Sequence, residues 1–539
     1  MAPGEERSAA IRDWAQALGD HKVAVDDTAL DRYARTTQDR GTRPCCILHP
    51  SATEDVQKTM RIASKHHVSV YPISCGKNWG YGDACAPTDG AAILDLSGMN
   101  RIVEFDANLA YAVIEPGVTQ QQLYAFLQEN APGLWLDCTG AGLGASLVGN
   151  TLDRGFGHTR YGDHFLSACG MEIVLADARV LNTGFGHYAD ARAAHIFRYG
   201  VGPFLDGLFC QSNLGIVTKL GLWLMPKPDA FTFFFVRVDQ QGGLPEIIDR
   251  LRPLRMRGIL ESAVHIGNDL RVISAAGRYP WDLAGGVTPL PELVRARLRK
   301  SRGLGAWNVG GALTGTRGHV RASKRALRNA VGPCGRLTFV DDKILALGEF
   351  AARRLAGIGL HGLERKLEPL KPNYGLLKGM PTDEPLLGTQ WRLRRPPEGG
   401  AGDPLDFGCG VMWVSPVLPM TGEDAKRVLE ITEPVFDQFG FEPLATFTLI
   451  NERAIIGILN VVFDKADAEE TARAVACYDA LFDGLMNAGY IPYRTGPRGM
   501  PKLRREDDVF WQVAAQIKRA LDPNDTIASG RYLRPQRDH

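Results

Sequence analysis

Residues 69–83 read SVYPISCGKNWGYGD, and residues 135–164 read WLDCTGAGLGASLVGNTLDRGFGHTRYGDH. In the first stretch a β-branched and aromatic run, which predicts a strand, breaks into closely spaced glycines at Gly76, Gly80 and Gly82. Such a turn admits φ > 0 and exposes successive backbone N–H groups, a geometry that encloses phosphate oxygens. A plain tight β-turn is the competing reading. The second stretch permits close backbone approach over a long run, with Ser146, Asn150 and Thr151 supplying small polar groups. Neither matches GxxxxGK[ST], and GLGASLVG lacks the flanking strand and acid of a GxGxxG dinucleotide site. Two such segments in one domain suit an extended diphosphate cofactor better than a lone phosphate.

Outward from these segments the pattern alternates. Asp55 to His66 predicts a surface helix, VSVYPIS a strand, TQQQLYAFLQEN (119–130) a helix, MEIVLADARVLNTG a hairpin turning at ADA, and SNLGIVTKLGLWLMP (212–226) a further strand. After MPKPDA, helices are expected at 243–255, 289–300, 319–330, 341–357, 423–440 and 466–488, between strand candidates FTFFFVRVD, FGCGVMWVSPV and AIIGILNVVFD. The proline-rich stretch 366–406 reads as a loop excursion. The fold class is therefore α+β in two domains: residues 1–228, residues 229–492, and a C-terminal segment 493–539 that returns to the first.

The chain has 539 residues, enough for two sizeable cores. Lys+Arg 62 against Asp+Glu 61 leaves a net charge of +1, so nothing in the charge balance would hold nucleic acid or an anionic membrane surface. The first residues, MAPGEERSAAIRDWAQALG, do not form a secretion signal, and no run of about 18 apolar residues predicts a membrane span. Ten cysteines without CxxC spacing read as buried thiols of a cytoplasmic protein. His66 and His67 are adjacent and share no helix face, and no metal site is expected.

The segments PISCGKNWGYG, AILDLSGMNRIVEFD, YAVIEPGVTQQQLYAFL, WLDCTGAGLGASLVGNTLDRGFGHTRYGDHF, GMEIVLADARVLNTGFG, QSNLGIVTKLGLWLMP and LDPNDTIASG, with PYRT at the end of the second domain, resemble the vanillyl-alcohol oxidase and p-cresol methylhydroxylase family of FAD flavoproteins. The resemblance spans roughly residues 10–535 and is closer to the methylhydroxylase (4-cresol dehydrogenase) branch. It implies an FAD-binding domain over residues 1–228 and a substrate-binding cap over 229–492. Ser74, Cys75, Gly76, Lys77 and Asn78 match the family's pyrophosphate loop. Glu115, Pro116, Gly117, Gly144, Ser146, Gly149, Asn150, Gly215, Ile216 and Val217 match its further FAD contacts. Tyr81, Tyr493 and Arg494 match its phenolate-binding trio, where an arginine and two phenolic hydroxyls hold a para-substituted phenol as its anion. The activity implied is oxidation of the benzylic carbon of 4-alkylphenols or 4-hydroxybenzyl alcohols, by hydride transfer to flavin N5 through a quinone methide. The acceptor implied is oxygen or a separate cytochrome-type protein, since no CxxCH occurs in the chain; a homodimer is compatible with the family.

Departures from the family pattern are informative. Val411 stands where covalent members carry the histidine that bonds the flavin, and DPLDF has no tyrosine, so non-covalent FAD is expected, with Cys409 and Tyr374 as the remaining candidates for a linkage. The oxidase's active-site aspartate should fall at 138–141, where the chain has Cys138, Thr139, Gly140 and Ala141. His361, Glu364 and Glu368 are possible cap-side groups, whereas His158 and His164 read as structural. Two other readings stay open: FAD-dependent oxidation of a hydroxy acid or sugar alcohol, and a flavin-free binding protein that keeps the fold.

Overall fold

The protein is described by a computed structural model covering residues 3–356, 371–395, 402–505 and 507–535. His361, Glu364 and Glu368 lie outside these residues.

The first unit is built on a four-stranded mixed sheet and a five-stranded antiparallel one. In the former, Val70–Ile73 and Cys46–Leu48 flank Ala92–Asp95 in parallel register, and all three are apolar along their length because helices and loops cover both faces. The helix Thr53–His66 supplies part of that cover, burying Val56, Met60 and Ala63 at three- and four-residue spacing, and ends on His67 in the left-handed region at φ 55°. The five-stranded sheet runs Ile102–Asp106, Tyr111–Ile114, Ile216–Trp223, Ala168–Val174, Val180–Asn182. The last two form the expected hairpin, closed where Ala178 N–H donates to the Leu175 carbonyl at 2.9 Å.

The second unit is one eight-stranded sheet whose neighbouring strands pair antiparallel, in the order Arg336–Val340, Ala230–Val238, Trp307–Gly315, Val264–Asn268, Leu444–Leu449, Ala454–Asp464 and Cys409–Val414, with Val417–Pro419 also on Ala454–Asp464. Helices Leu244–Met256, Arg317–Val331, Gly422–Phe439 and Ala468–Asn487 cover one face. Strand periodicity then decides the other. Phe234, Val236, Val264 and Ile266 point into the helix-side core, so Phe233, Phe235, His265 and Gly267 point to the opposite side, over the first unit. That face roofs the cavity described below.

The C-terminal segment pairs with the first sheet. Val70 N–H donates to Thr526 O at 2.7 Å, and Ala528 N–H donates to Val70 O at 2.8 Å, so residues 526–528 extend the edge of the first sheet. The stretch 366–406 differs from its reading as a loop excursion. Its described part contains a helix, Lys371–Leu376, and a 3₁₀ helix, Glu384–Gln390, which packs on the helix Asp269–Ala275 and against the cavity. Pro372 and Pro385 sit in the first turns of these two helices, where the missing N–H costs nothing. Among the described residues no helix is long and apolar enough to cross a membrane.

Candidate active site

A cavity of about 770 Å³ lies between the two units. Its floor is the loop that follows Val70–Ile73. Gly76 (φ 65°) and Gly80 (φ 75°) turn that loop back on itself, so the N–H groups of Cys75, Gly76, Lys77 and Asn78 donate to no acceptor among the described residues. Unpaired backbone donors are rare in folded proteins, and a row of them beside a cavity is an anion cradle. Opposite stands the turn into helix Leu147–Leu152. Gly149 approaches so closely that a Cβ there would lie 2.2 Å from Ser74 Oγ. These features fit the diphosphate of FAD.

Most of the expected cofactor contacts line this cavity: Ser74, Cys75, Gly76, Lys77, Asn78, Pro116, Ser146, Gly149, Asn150, Gly215, Ile216 and Val217. Several have second duties. Ser146 Oγ caps its helix by accepting from Gly149 N–H at 2.9 Å and donates to Pro116 O at 2.6 Å. Asn78 donates to Asp153 at 3.2 Å.

Three expected contacts do not line the cavity. The Glu115 carboxylate is fully buried and spent on Arg101, accepting from its backbone N–H at 2.8 Å and from its guanidinium at 2.7 Å. Gly117 is a packing glycine: a Cβ there would lie 2.3 Å from the Ser97 carbonyl oxygen. Gly144 backs on the Lys77 side chain, at 3.1 Å from an added Cβ.

At the other end, the structure brings Tyr81, Tyr493 and Arg494 together. The Arg494 guanidinium lies 4.0 Å from the Tyr81 ring centroid and 5.3 Å from that of Tyr493. Tyr81 Oη and Ser415 Oγ are 2.7 Å apart. Arg494 Nη1 donates to Asp153 at 3.2 Å, while its buried Nε has no partner among the described residues. Burial works against the Arg494 cation, yet Tyr493, Tyr81 and Asp153 more than offset it and hold its pKa above the ordinary value. Burial pushes the Tyr493 hydroxyl well above its ordinary range, so it stays protonated and available as a donor. Asp153 also accepts from Arg531 at 2.9 Å, and Arg531 donates to Tyr71 at 3.0 Å, which ties the C-terminal segment to the site.

His164 is structural, as expected. It lies 2.6 Å from Asp137 and 2.6 Å from Asn150. Burial alone would raise the Asp137 carboxyl, but His164 and Thr159 outweigh it and hold the group below the ordinary carboxylate range. Asp137 is thus engaged by the fold and does not line the cavity. His158 differs from its structural reading in part. Its Nδ1 sits 2.9 Å from the Cys138 carbonyl, but its ring lines the cavity 4.6 Å from that of His265. The candidates for a flavin linkage stand elsewhere. Tyr374 donates to Asp342 at 2.6 Å, the Cys409 thiol is pushed up to about 12 by burial, Val411 is fully buried, and none of the three lines the cavity.

His265, Arg271, Glu384 and Trp413 line the cavity without having been singled out. Each comes from a different element of the cap, and only the pleat of Val264–Asn268, read as a strand with alternate residues inward, could have flagged His265.

The family model described as "FAD binding domain" matches residues 44–184. The chain is 37% identical over 535 residues to 1'-carboxy-chondrochloren decarboxylase of Chondromyces crocatus, covering 98% of this chain and 97% of that one. It is 33% identical over 532 residues to the flavoprotein subunit of 4-cresol dehydrogenase (hydroxylating) of Pseudomonas putida, covering 98% and 95%. A crystal structure of p-cresol methylhydroxylase with substrate bound superposes with a TM-score of 0.89 at 32% identity, covering 99% of this chain and 98% of that one.

Proposed function

Because the chain belongs to the vanillyl-alcohol oxidase and p-cresol methylhydroxylase family of FAD oxidoreductases, we propose that it oxidises the benzylic carbon of para-substituted phenols. The observation that carries this reading is the Arg494 guanidinium stacked on Tyr81 at 4.0 Å, beside Tyr493, on the cavity wall.

In this reading Arg494 Nε, which has no partner among the described residues, donates to a phenolate oxygen, and the protonated Tyr493 hydroxyl donates to the same atom. With Ser415 donating to Tyr81, the Tyr81 hydroxyl is free to donate as well. Charge-assisted hydrogen bonds of this kind favour the ionised phenol, and the anion pushes electron density through the ring to the para carbon. Bound FAD supplies the hydride acceptor that takes the substrate to the quinone methide level. The loop 74–78 and the turn at Gly149 would hold its diphosphate. Residues 1–228 and 493–539 would then make the cofactor-binding domain and 229–492 the cap.

FAD is held without a covalent bond in this proposal, since Val411 offers no nucleophile and both Cys409 and Tyr374 are committed elsewhere. Oxygen or a cytochrome-type protein would serve as the separate electron acceptor, and peroxide formed at the rate of substrate loss would identify oxygen. Anaerobic mixing with 4-alkylphenols and 4-hydroxybenzyl alcohols tests the main reading. They should bleach the flavin, while bleaching by hydroxy acids and not by phenols would overturn it.

A further inference from the structure

Among the described residues five cationic side chains line the cavity, and four are matched by acids. Lys77 faces Asp403 at 3.5 Å, Lys371 faces Glu349 at 3.2 Å, and Arg494 and Arg531 share Asp153 at 3.2 and 2.9 Å. Arg271, on the helix Asp269–Ala275, is the exception. Among the described residues its guanidinium has no hydrogen bond and no ion pair. Its neighbour Asp269 is engaged by Arg295 at 2.7 Å and by Arg299 at 3.4 Å. None of the acids lining the cavity pairs with it: Asp83 accepts from Thr36 and Thr37, Asp153 is shared as above, and Glu384 forms no ion pair with Arg271 among the described residues. Burial alone pulls Arg271 down to about 10, with no opposite charge to counter it, and it remains a cation at neutral pH.

A second unmet donor stands beside it. His265, on the adjoining strand, has Nδ1 3.0 Å from the Thr448 hydroxyl and a buried Nε2 with no partner among the described residues. Burial, then His158 and Arg271, hold its pKa well below the ordinary value, so the ring is neutral. With the Thr448 hydroxyl donating to Nδ1, the ring proton sits on Nε2 as a donor. Gly388 keeps room for the guanidinium, since a Cβ there would lie 3.3 Å from Arg271 Nη1.

An unmatched cation out of bulk water is costly, and the cost is offset when a ligand brings the counter-charge. We propose that Arg271 and His265 form an anion subsite on the cap wall that receives a carboxylate carried on the para side chain of the phenol, making the substrate a 4-hydroxyphenyl-alkanoate. This rests on the phenol-oxidation reading and narrows it: one end of the substrate meets Arg494, the other meets Arg271.

The test compares anaerobic flavin reduction of the holoenzyme by 3-(4-hydroxyphenyl)propanoate and by 4-ethylphenol. The wild type should favour the acid in reduction efficiency, and Arg271→Gln should lower efficiency for the acid about 10- to 100-fold more than for 4-ethylphenol, with Arg271→Lys recovering part of the preference. Because the cation has no partner among the described residues, Arg271→Gln should melt no lower than the wild type. No preference in the wild type, equal losses with both substrates, or weakened FAD binding in Arg271→Gln would overturn the proposal. Titration with 3-phenylpropanoate, which lacks the phenol, separates this subsite from the reading it rests on. If no phenol reduces the flavin but 3-phenylpropanoate perturbs its spectrum in the wild type and not in Arg271→Gln, the subsite stands and the phenol reading falls.

Discussion

On the proposed reading, Arg494→Met removes the charge that holds the phenolate while leaving the rest of the site charge-balanced. Asp153 keeps Arg531 at 2.9 Å and Asn78 at 3.2 Å, so no buried carboxylate is stranded and the variant should fold. Two unit charges about 4 Å apart attract by about 4 kcal/mol at an effective dielectric of about 20. Asp153, 3.2 Å from the same guanidinium, withdraws part of that attraction. The measured range for hydrogen bonds to charged groups, about 1.5–3 kcal/mol, is therefore the better guide, and it corresponds to a weakening of about 10- to 150-fold. The assay is a flavin difference-spectrum titration with 4-bromophenol, which has no benzylic hydrogen to lose, at several pH values. In the wild type, binding should tighten as pH rises toward the phenol's own pKa, because the anion is the form bound. In Arg494→Met the tightening should vanish or reverse, because a buried site without its cation prefers the neutral phenol. Equal affinities with the same pH trend in both proteins would refute the assignment of Arg494 to the phenolate.

The flavin linkage is decided by acid precipitation: yellow colour should stay in the supernatant, and Tyr374→Phe and Cys409→Ala should leave that result unchanged, whereas a yellow pellet would show a covalent bond. Gly117→Ala sets a Cβ 2.3 Å from the Ser97 carbonyl oxygen and should cost about 1–3 kcal/mol of stability in a melting experiment, with FAD affinity of the folded protein changed less than about threefold. A selective loss of FAD affinity would instead make Gly117 a cofactor contact. Asp137→Asn breaks a buried pair with His164 and should cost about 3–5 kcal/mol at neutral pH. The folded-state pKa of Asp137 lies below its unfolded value, so the wild type holds this stability above the unfolded pKa of about 3.9 and loses it as pH falls through the depressed folded value. The gap between the two proteins should therefore narrow in acid, and a gap independent of pH would show that the pair's charge is not what stabilises.

The α+β construction was legible because it is written in local signals. The run VSVYPIS is dense in β-branched and aromatic residues as a strand is, Asp55 to His66 repeats as a helix, and both appear within a few residues of their expected bounds. The glycine-rich turn after Ile73 was legible for the same reason, since Gly76 and Gly80 are needed at positive φ wherever the rest of the chain goes. Glu115 and Gly117 show where this logic ends. Motif position placed them beside the cofactor, but the carboxylate of Glu115 is answered by Arg101, fourteen residues earlier on a neighbouring turn, and Gly117 is required by the Ser97 carbonyl. A glycine that admits a ligand and one that admits another strand look alike in a sequence, because both report only that something comes close.

Arg271 and His265 mark the same boundary from the other side. Nothing in HIGNDLRV distinguishes a half-buried cation from a solvated one, because burial depends on strand Val264–Asn268 pairing with both Trp307–Gly315 and Leu444–Leu449 and on Glu384–Gln390 closing over the helix that follows. Asp269, two residues before Arg271, would be its obvious partner by proximity. The fold turns that carboxylate toward Arg295 and Arg299 instead, and only this non-local choice leaves Arg271 unmatched at the cavity. The cofactor half of the site is thus specified by backbone conformation, which glycines announce. The substrate half is specified by which charges the tertiary structure satisfies and which it leaves open, and selectivity among phenols should accordingly follow changes at the cap wall more than changes in the glycine-rich loops.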